Sequence, residues 1–258
     1  MLPKGFSFEL PALGLFINHL IAKPWLLLQV DEIRTLYSNM RINTARESGL
    51  LSNFVDSDNS IANTVVHNLE NLDAGIASLR PWALLGPMLG MDYVAYNKSS
   101  LKILIIGPRT EAELFLYQSR GFPQENIYAL DLISYSESIT VGDMHQIPFE
   151  DSFFDIVVFS WCLGYSNAQH KAVSEAIRVA KPNAFIAIGE QWDPTPVELT
   201  SAQLQQDRGY SLAGTVTSSV SDLLSLFGDT EFNLLFSTEP KTQDKSRVGW
   251  ITCIVELL

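Results

Sequence analysis

The run GDMHQIPFEDSFFDIVVFSWCLGYSNAQHKAVSEAIRVAKPNAFIAIG, residues 142–189, decides the fold. Phe154–Ser160, FDIVVFS, is a continuous apolar stretch bounded by polar residues, the pattern of a parallel strand covered on both faces. AQHKAVSEAIRVA (168–180) repeats apolar residues at 172/173, 176/177 and 180, which is a helical face, and Lys181-Pro182-Asn183 stops it. AFIAIGEQW (184–192) is the next strand. Strand, helix and strand in this order form a parallel crossover unit.

The same alternation extends upstream. LKILIIG (101–107), EAELFLYQSR (111–120), NIYALDL (126–132) and ITVGDM (139–144) read as strand, helix, strand and strand. Downstream, SVSDLLSLFG (219–228) reads as a helix, and NLLFS (233–237) with VGWITCIVEL (248–257) as a hairpin around the polar TEPKTQDKSR. The expectation is an α/β, doubly wound, Rossmann-like sheet. It is mostly parallel, with an antiparallel strand in the C-terminal hairpin and a ligand crevice at the carboxyl ends of the strands.

Residues 1–98 have a different texture and are read as a helical cap and substrate lid, with 99–258 as the main domain. DEIRTLYSNMR (31–41) and NSIANTVVHNLENLDAGIASL (59–79) carry helical spacing, with Asp31 and Asn59 as N-caps. Pro81-Trp82 is read as an interruption and Asn97–Ser100 as a polar turn. LGLFINHLIAKPWLLLQV (13–30) is the longest apolar stretch, but Lys23-Pro24 divides it. It falls short of the roughly 20 uninterrupted apolar residues of a membrane span. It is read as cap helices broken before Pro24, with a peripheral membrane contact left open. Met1–Leu10 lacks an apolar core with a small-residue cleavage site, so no secretory signal is read there.

Twenty-nine acidic residues against seventeen basic ones leave a net charge of −12, which argues against nucleic-acid partners held through phosphates. Cys162 and Cys253 lie in apolar runs at no metal-ligand spacing, so they are read as free thiols in a reducing, cytoplasmic compartment, and no metal is expected.

The chemistry concentrates at the strand ends. Gly107 permits a sharp turn and close ligand approach after the first strand. Thr110 with Glu113 fits a capping box, and Glu111 and Glu113 place two carboxylates in the first helical turn. Such a helix start repels a pyrophosphate but suits a cofactor with cationic groups, such as S-adenosylmethionine. Asp131 ends the second strand, where a carboxylate can accept from ribose hydroxyls. Asp143 follows the third, within reach of an adenine amino group.

Together these residues resemble the class I S-adenosylmethionine-dependent methyltransferases, particularly the small-molecule branch, over Leu101 to Trp192. The resemblance is carried by the acidic residue, the Pro-Phe, the Phe-Asp opening a strand and the Lys-Pro turn within 142–189. It implies that Gly107, with Pro108, lines the methionine part of the cofactor and that Asp131 meets its ribose; the short span from Asp131 to Asp143 is expected to run Leu132 to Tyr135 directly over the cofactor. It further implies that Asp143 and Met144 meet the adenine, with Ser160 and Trp161 beside the methionine. Ile105, Arg109 and Glu111 stand where the family has an acidic residue and two further glycines. Arg109 is therefore expected to hold the cofactor carboxylate, and Glu111 or Glu113 its ammonium. Asp155 is expected to support its strand.

Methyl transfer is an in-line displacement, so the protein mainly aligns reactants and excludes water. Substrate-side candidates are His145, Tyr165, His170 and Glu190, with Tyr165 and Trp161 as pocket walls. Strand four runs into Ser160-Trp161-Cys162-Leu163 and not into an N-P-P-Y tetrad, which disfavours nucleic-acid bases as acceptors. The expected reaction is methyl transfer to a small, partly apolar molecule. A cofactor-binding module without transfer, or another reaction on the same fold, remains open, as does an oligomer.

Overall fold

The computed structural model describes residues 10–55, 62–75, 80–192, 219–240 and 249–258. The N-terminal segment is helical. It comprises α1 (Leu10–Ala22), a 3-10 turn over Pro24–Gln29, α2 (Asp31–Glu47), a short strand β1 (Ser52–Asn53), α3 (Ala62–Glu70), α4 (Arg80–Leu89) and α5 (Asp92–Asn97). The α/β part follows as β2 (Ile103–Ile106), α6 (Glu111–Ser119), β3 (Ile127–Asp131), β4 (Ile133–Ser134), β5 (Thr140–Val141) and β6 (Phe154–Ser160). It ends with α7 (Gln169–Val179), β7 (Ala180–Trp192), α8 (Val220–Ser225), β8 (Phe232–Thr238) and β9 (Gly249–Leu257).

Seven strands form one sheet in the order β5-β3-β2-β6-β7-β9-β8. Neighbours from β5 to β7 are parallel, and β9 runs antiparallel to both β7 and β8. The doubly wound sheet with an antiparallel C-terminal hairpin strand is the architecture read from the sequence. The chain leaves β2 toward β3 on one side and returns to β6 on the other. That reversal opens a crevice beyond the carboxyl ends of β2 and β6.

Why β2 is apolar throughout is visible in its packing. Ile103 and Ile105 enter one cluster with Ile42, Leu84, Met88 and Tyr117, while Leu104 and Ile106 enter the other with Phe159, Val173 and Leu223. The period of two sends alternate side chains into the two layers. Helices α2, α4 and α5 thus cover one sheet face, and α7 with α8 covers the other.

Several local expectations are corrected. Asp31 is the first residue of α2, and the cap position is Val30; Asn59 lies outside the described residues. Pro81 does not interrupt but sits in the first turn of α4, where its missing N–H costs no intrahelical bond. The strand expected over 139–144 is only Thr140–Val141, because the chain turns there: the Gly142 N–H donates to the Asp131 carbonyl at 2.9 Å and that of Gln146 to the Asp143 carbonyl at 3.0 Å. Lys181-Pro182-Asn183 ends α7 as expected. It then forms a bulge at the start of β7, where Asn183 has φ 61° and the pairing with β6 shifts register.

Candidate functional site

A cleft of about 1170 Å³ of atom-free space lies at the strand-order reversal. All ten sequence-read cofactor positions line it: Gly107, Pro108, Arg109, Glu113, Asp131, Leu132, Asp143, Met144, Ser160 and Trp161. Tyr165 and His145 line it too. His170, early in α7, is exposed and lies outside it, and Glu190 is buried behind the wall.

The β2–α6 loop is held in a strained shape. Gly107 has φ 75° and Arg109 φ 58°, the left-handed region that non-glycine residues rarely occupy. A Cβ at Gly107 would stand 2.5 Å from that of Cys162, so β6's exit loop packs directly on this glycine. Asp131 fixes the loop from the neighbouring strand: its Oδ2 accepts from the Arg109 N–H at 2.8 Å, and its Oδ1 from the Ile133 N–H at 3.2 Å. Burial raises the Asp131 pKa, and these backbone bonds pull it back. Asp131 Oδ1 also accepts from Asn68 Nδ2 of α3 at 3.4 Å, which ties the helical segment to the cleft floor.

Thr110 is the N-cap of α6 but makes no side-chain cap bond, so the capping box is not formed. Glu113 turns inward, where its Oε2 accepts from Ser160 Oγ at 2.7 Å. Glu113 Oε1 is buried without a partner, as are Arg109 Nε and Trp161 Nε1. Desolvation pushes the Glu113 carboxyl up to about 7, against the lowering bond from Ser160. Glu111 does not reach the cleft. It is buried against the Arg41 guanidinium of α2 and accepts from Ser136 Oγ at 2.7 Å. Of the two carboxylates considered for an ammonium, only Glu113 is placed to meet one.

On the far wall, Asp143 Oδ1 pairs with His145 Nδ1 at 2.6 Å, and His145 Nε2 lies 2.6 Å from Ser166 Oγ. Partial burial raises the Asp143 pKa, but the bonds from His145 outweigh it and leave the net shift downward. Trp161, at φ 54°, lays its ring over Gly189, where a Cβ would stand 2.7 Å from ring atoms. Tyr165 stacks on His67 of α3 with ring centres 5.9 Å apart. Behind this wall Glu190 has an unpartnered Oε1 and is also pushed up to about 7 by burial, moderated by backbone N–H groups of Gly164, Leu163 and Gln191. Asp155 accepts from the Lys102 N–H at 2.8 Å and pairs with Lys181 at 2.7 Å, the strand-supporting role expected of it.

Sequence reading missed the polar part of the wall contributed from before residue 99: Arg34, Thr64, Asn68 and Arg80. No local motif marks these positions, because each meets the cleft only through tertiary packing. Cys162 was read only as a buried thiol, yet it lines the cleft, and burial holds its pKa well above the usual thiol range.

The parallel sheet, its single antiparallel strand and a cleft built on acidic strand ends define a class I methyltransferase-type fold. Residues 110–188 match the family described as a methyltransferase domain. Over residues 110–188 the chain is thus similar to a methyltransferase-domain family, in line with the resemblance read from the sequence. Among solved structures, it resembles the Burkholderia thailandensis 1,6-didemethyltoxoflavin-N1-methyltransferase, solved with 1,6-didemethyltoxoflavin and S-adenosylhomocysteine. The TM-score is 0.53 at 12% identity, covering 80% of this chain and 92% of that one. It also resembles a Haloferax volcanii complex of the Trm112 methyltransferase activator with a putative methyltransferase, with TM-score 0.52, 13% identity and coverage of 77% and 96%. At these identities the likeness establishes the fold. No curated protein matches the sequence.

Proposed function

We propose that the protein transfers the methyl group of S-adenosylmethionine to a small, partly apolar acceptor inside the cleft. The observation that carries this reading is the set of buried, unpaired polar atoms on the residues lining it. Glu113 Oε1 is an acceptor, and Arg109 Nε and Trp161 Nε1 are donors. Burying such atoms unpaired costs about 1–3 kcal/mol each, and an amino-acid zwitterion complements them, its ammonium at Glu113 and its carboxylate at Arg109. The cofactor supplies an activated methyl group on a sulfonium.

Each residue then has a physical task. Asp131 accepts from the ribose hydroxyls with lone pairs its backbone bonds leave open. Leu132 and Met144 sandwich the apolar faces, and Asp143 meets the adenine edge. Gly107 and Pro108 let the backbone approach the methionine chain, with Ser160 and Trp161 flanking it. Tyr165 walls the acceptor side, and residues 1–98 close over it as a lid. His145 has both ring nitrogens engaged, by Asp143 and Ser166. We therefore assign it a positioning role, which suits an acceptor that reacts without prior proton removal. Glu190 supports the acceptor wall from behind. The two free cysteines, Cys162 and Cys253, fit a cytoplasmic setting.

Calorimetry with S-adenosylmethionine and S-adenosylhomocysteine tests the binding half. Labelled methyl from the cofactor, offered a cell extract separated into small-molecule, protein and nucleic-acid fractions, tests the rest. Label is expected in the small-molecule fraction; label confined to the other two would refute the acceptor class.

A further inference from the structure

The helical segment brings charge of one sign to the cleft. Residues 1–98 hold more acidic than basic residues. Among the described residues, however, none of those acids lines the cleft, while Arg34 of α2 and Arg80 of α4 both do. In a chain of net charge −12, a wall of the opposite sign is a local feature with its own cause. Helix stability does not supply one for Arg80. It lies in the first turn of α4, at the positive end of the helix dipole, where a cation is disfavoured.

Arg34 is held in place. It is 8% exposed, its Nη1 donates to the Leu28 carbonyl at 2.9 Å, and its Nη2 donates to Asp31 Oδ1 at 2.8 Å. These bonds fix the guanidinium plane and leave further N–H donors of the fork for a ligand. Asp31 is 59% exposed, so water screens its charge and the pair neutralises Arg34 only in part. Near Arg80 the matching carboxyl is Glu190, whose ionised form Arg80 favours. Burial nevertheless holds that carboxyl up at about 7, so it too offsets the cation only in part at neutral pH. Thr64 brings a hydroxyl to the same cleft, and Ala112, Leu116 and Pro81 bring apolar surface.

S-adenosylmethionine leaves both arginines over. Its single carboxylate is assigned to Arg109, and its ammonium and sulfonium are cationic. Two guanidiniums in the wall of a cleft that admits such a cofactor repel it unless an anion stands among them. We propose, building on the methyl-transfer site proposed above, that the methyl acceptor carries a carboxylate or phosphate group held by Arg34 and Arg80. A guanidinium matches either oxyanion with paired N–H donors, and these bonds strengthen as water leaves the cleft. The anionic group is separate from the reacting atom, takes no part in the displacement and stays in the product. The apolar stem that carries it lies on Leu116 and Pro81.

The test is calorimetry on the full chain saturated with S-adenosylhomocysteine and titrated with hexanoate, hexyl phosphate, hexanol and hexylammonium. An anionic probe is expected to bind about tenfold or more tightly than hexanol and hexylammonium, and the better of the two anions tells carboxylate from phosphate. Arg34→Gln and Arg80→Gln should each erase most of that preference while the melting temperature and the affinity for S-adenosylhomocysteine are retained. The comparison of probes on the native chain decides the matter even where a variant fails to fold. No binding of either anion, equal binding of all four probes, or a preference undiminished in both folded variants overturns the proposal. So does a loss of S-adenosylhomocysteine affinity in the two variants, which gives the arginines to the cofactor carboxylate. No heat with S-adenosylhomocysteine itself removes the methyl-transfer reading and this acceptor with it. Normal heat with no anion preference removes the anionic acceptor alone.

Discussion

Ser160 Oγ donates to Glu113 Oε2 at 2.7 Å, while the other oxygen of the same carboxylate is buried with no partner. The carboxyl is pushed up to about 7 from 4.5, which makes its ionisation a cost of folding. Below pH 4.5 both folded and unfolded chains hold the proton, and the group is neutral to stability. As pH rises toward 7 the unfolded chain ionises first, so stability falls across that window. The loss levels off near about 3 kcal/mol at most, at 1.36 kcal/mol per pKa unit. Glu113→Gln is expected to flatten this slope in denaturant titrations between pH 4.5 and 8. Glu190 carries the same shift, so a slope remains. An unchanged slope in the variant contradicts the burial argument.

The same carboxyl predicts a proton signature for the proposed cofactor site. An ammonium beside Glu113 favours the carboxylate, so binding at pH 6.5 is expected to release a proton. Calorimetry in buffers of different ionisation enthalpy reads this directly. In Glu113→Gln the release should vanish and affinity fall about tenfold or more, as for a charge-assisted bond worth about 1.5–3 kcal/mol. Equal heats in all buffers for the native chain remove Glu113 from the ammonium role.

Gly107→Ala is expected to destabilise the chain by more than about 2 kcal/mol, because it combines a positive φ with a Cβ overlap. The overlap is with the Cys162 Cβ, 2.5 Å away. Cys162→Gly in the same background relieves the overlap but not the dihedral, so recovery should stop about 1 kcal/mol short of Cys162→Gly alone. Full recovery, or none, shows that one of the two causes is absent.

These residues also show what the sequence could disclose. β6, α7 and β7 were readable because apolar periodicity reports which side chains face a layer, and strand–helix alternation implies parallel crossovers; the strand order itself was not legible, since crossover handedness leaves it open. Asp131 and Asp143 were readable because strand ends open on the crevice. The fate of Glu111 was not. Its position in the first turn of α6 fits a cap, a ligand or a buried ion pair equally, and Arg41, seventy positions away, decides among them. The wall residues Arg34, Asn68 and Arg80 were hidden for the same reason, since a helical period marks an apolar face but not the polar side chain beside it.

The Arg41–Glu111 pair gives the next prediction. Glu111 is almost fully buried, while Arg41 is partly exposed. Arg41→Ala leaves a buried carboxylate with only Ser136 Oγ and is expected to cost about 3–5 kcal/mol. Replacing both, Arg41→Met with Glu111→Leu, removes the uncompensated charge and should recover most of that loss. Thermal denaturation of the two variants distinguishes this from a surface pair, for which Arg41→Ala costs under about 1 kcal/mol.

Asn68 tests whether residues 1–98 work with the cleft or merely cover the sheet. Its Nδ2 reaches Asp131 Oδ1 at 3.4 Å, a long bond between buried groups. Asp131 keeps its two backbone donors without it, so Asn68→Ala is expected to cost only about 1 kcal/mol of stability. The same change loosens α3 from the carboxylate proposed to hold the ribose. Calorimetry should therefore show weaker binding of S-adenosylhomocysteine, with the entropy term more unfavourable because more of the lid must order on binding. Asn68→Asp puts a second carboxylate against Asp131, and affinity should fall further as pH rises and both ionise. If Asn68→Ala leaves affinity untouched while Asp131→Asn abolishes it, α3 is a cover for the sheet and takes no part in holding the cofactor.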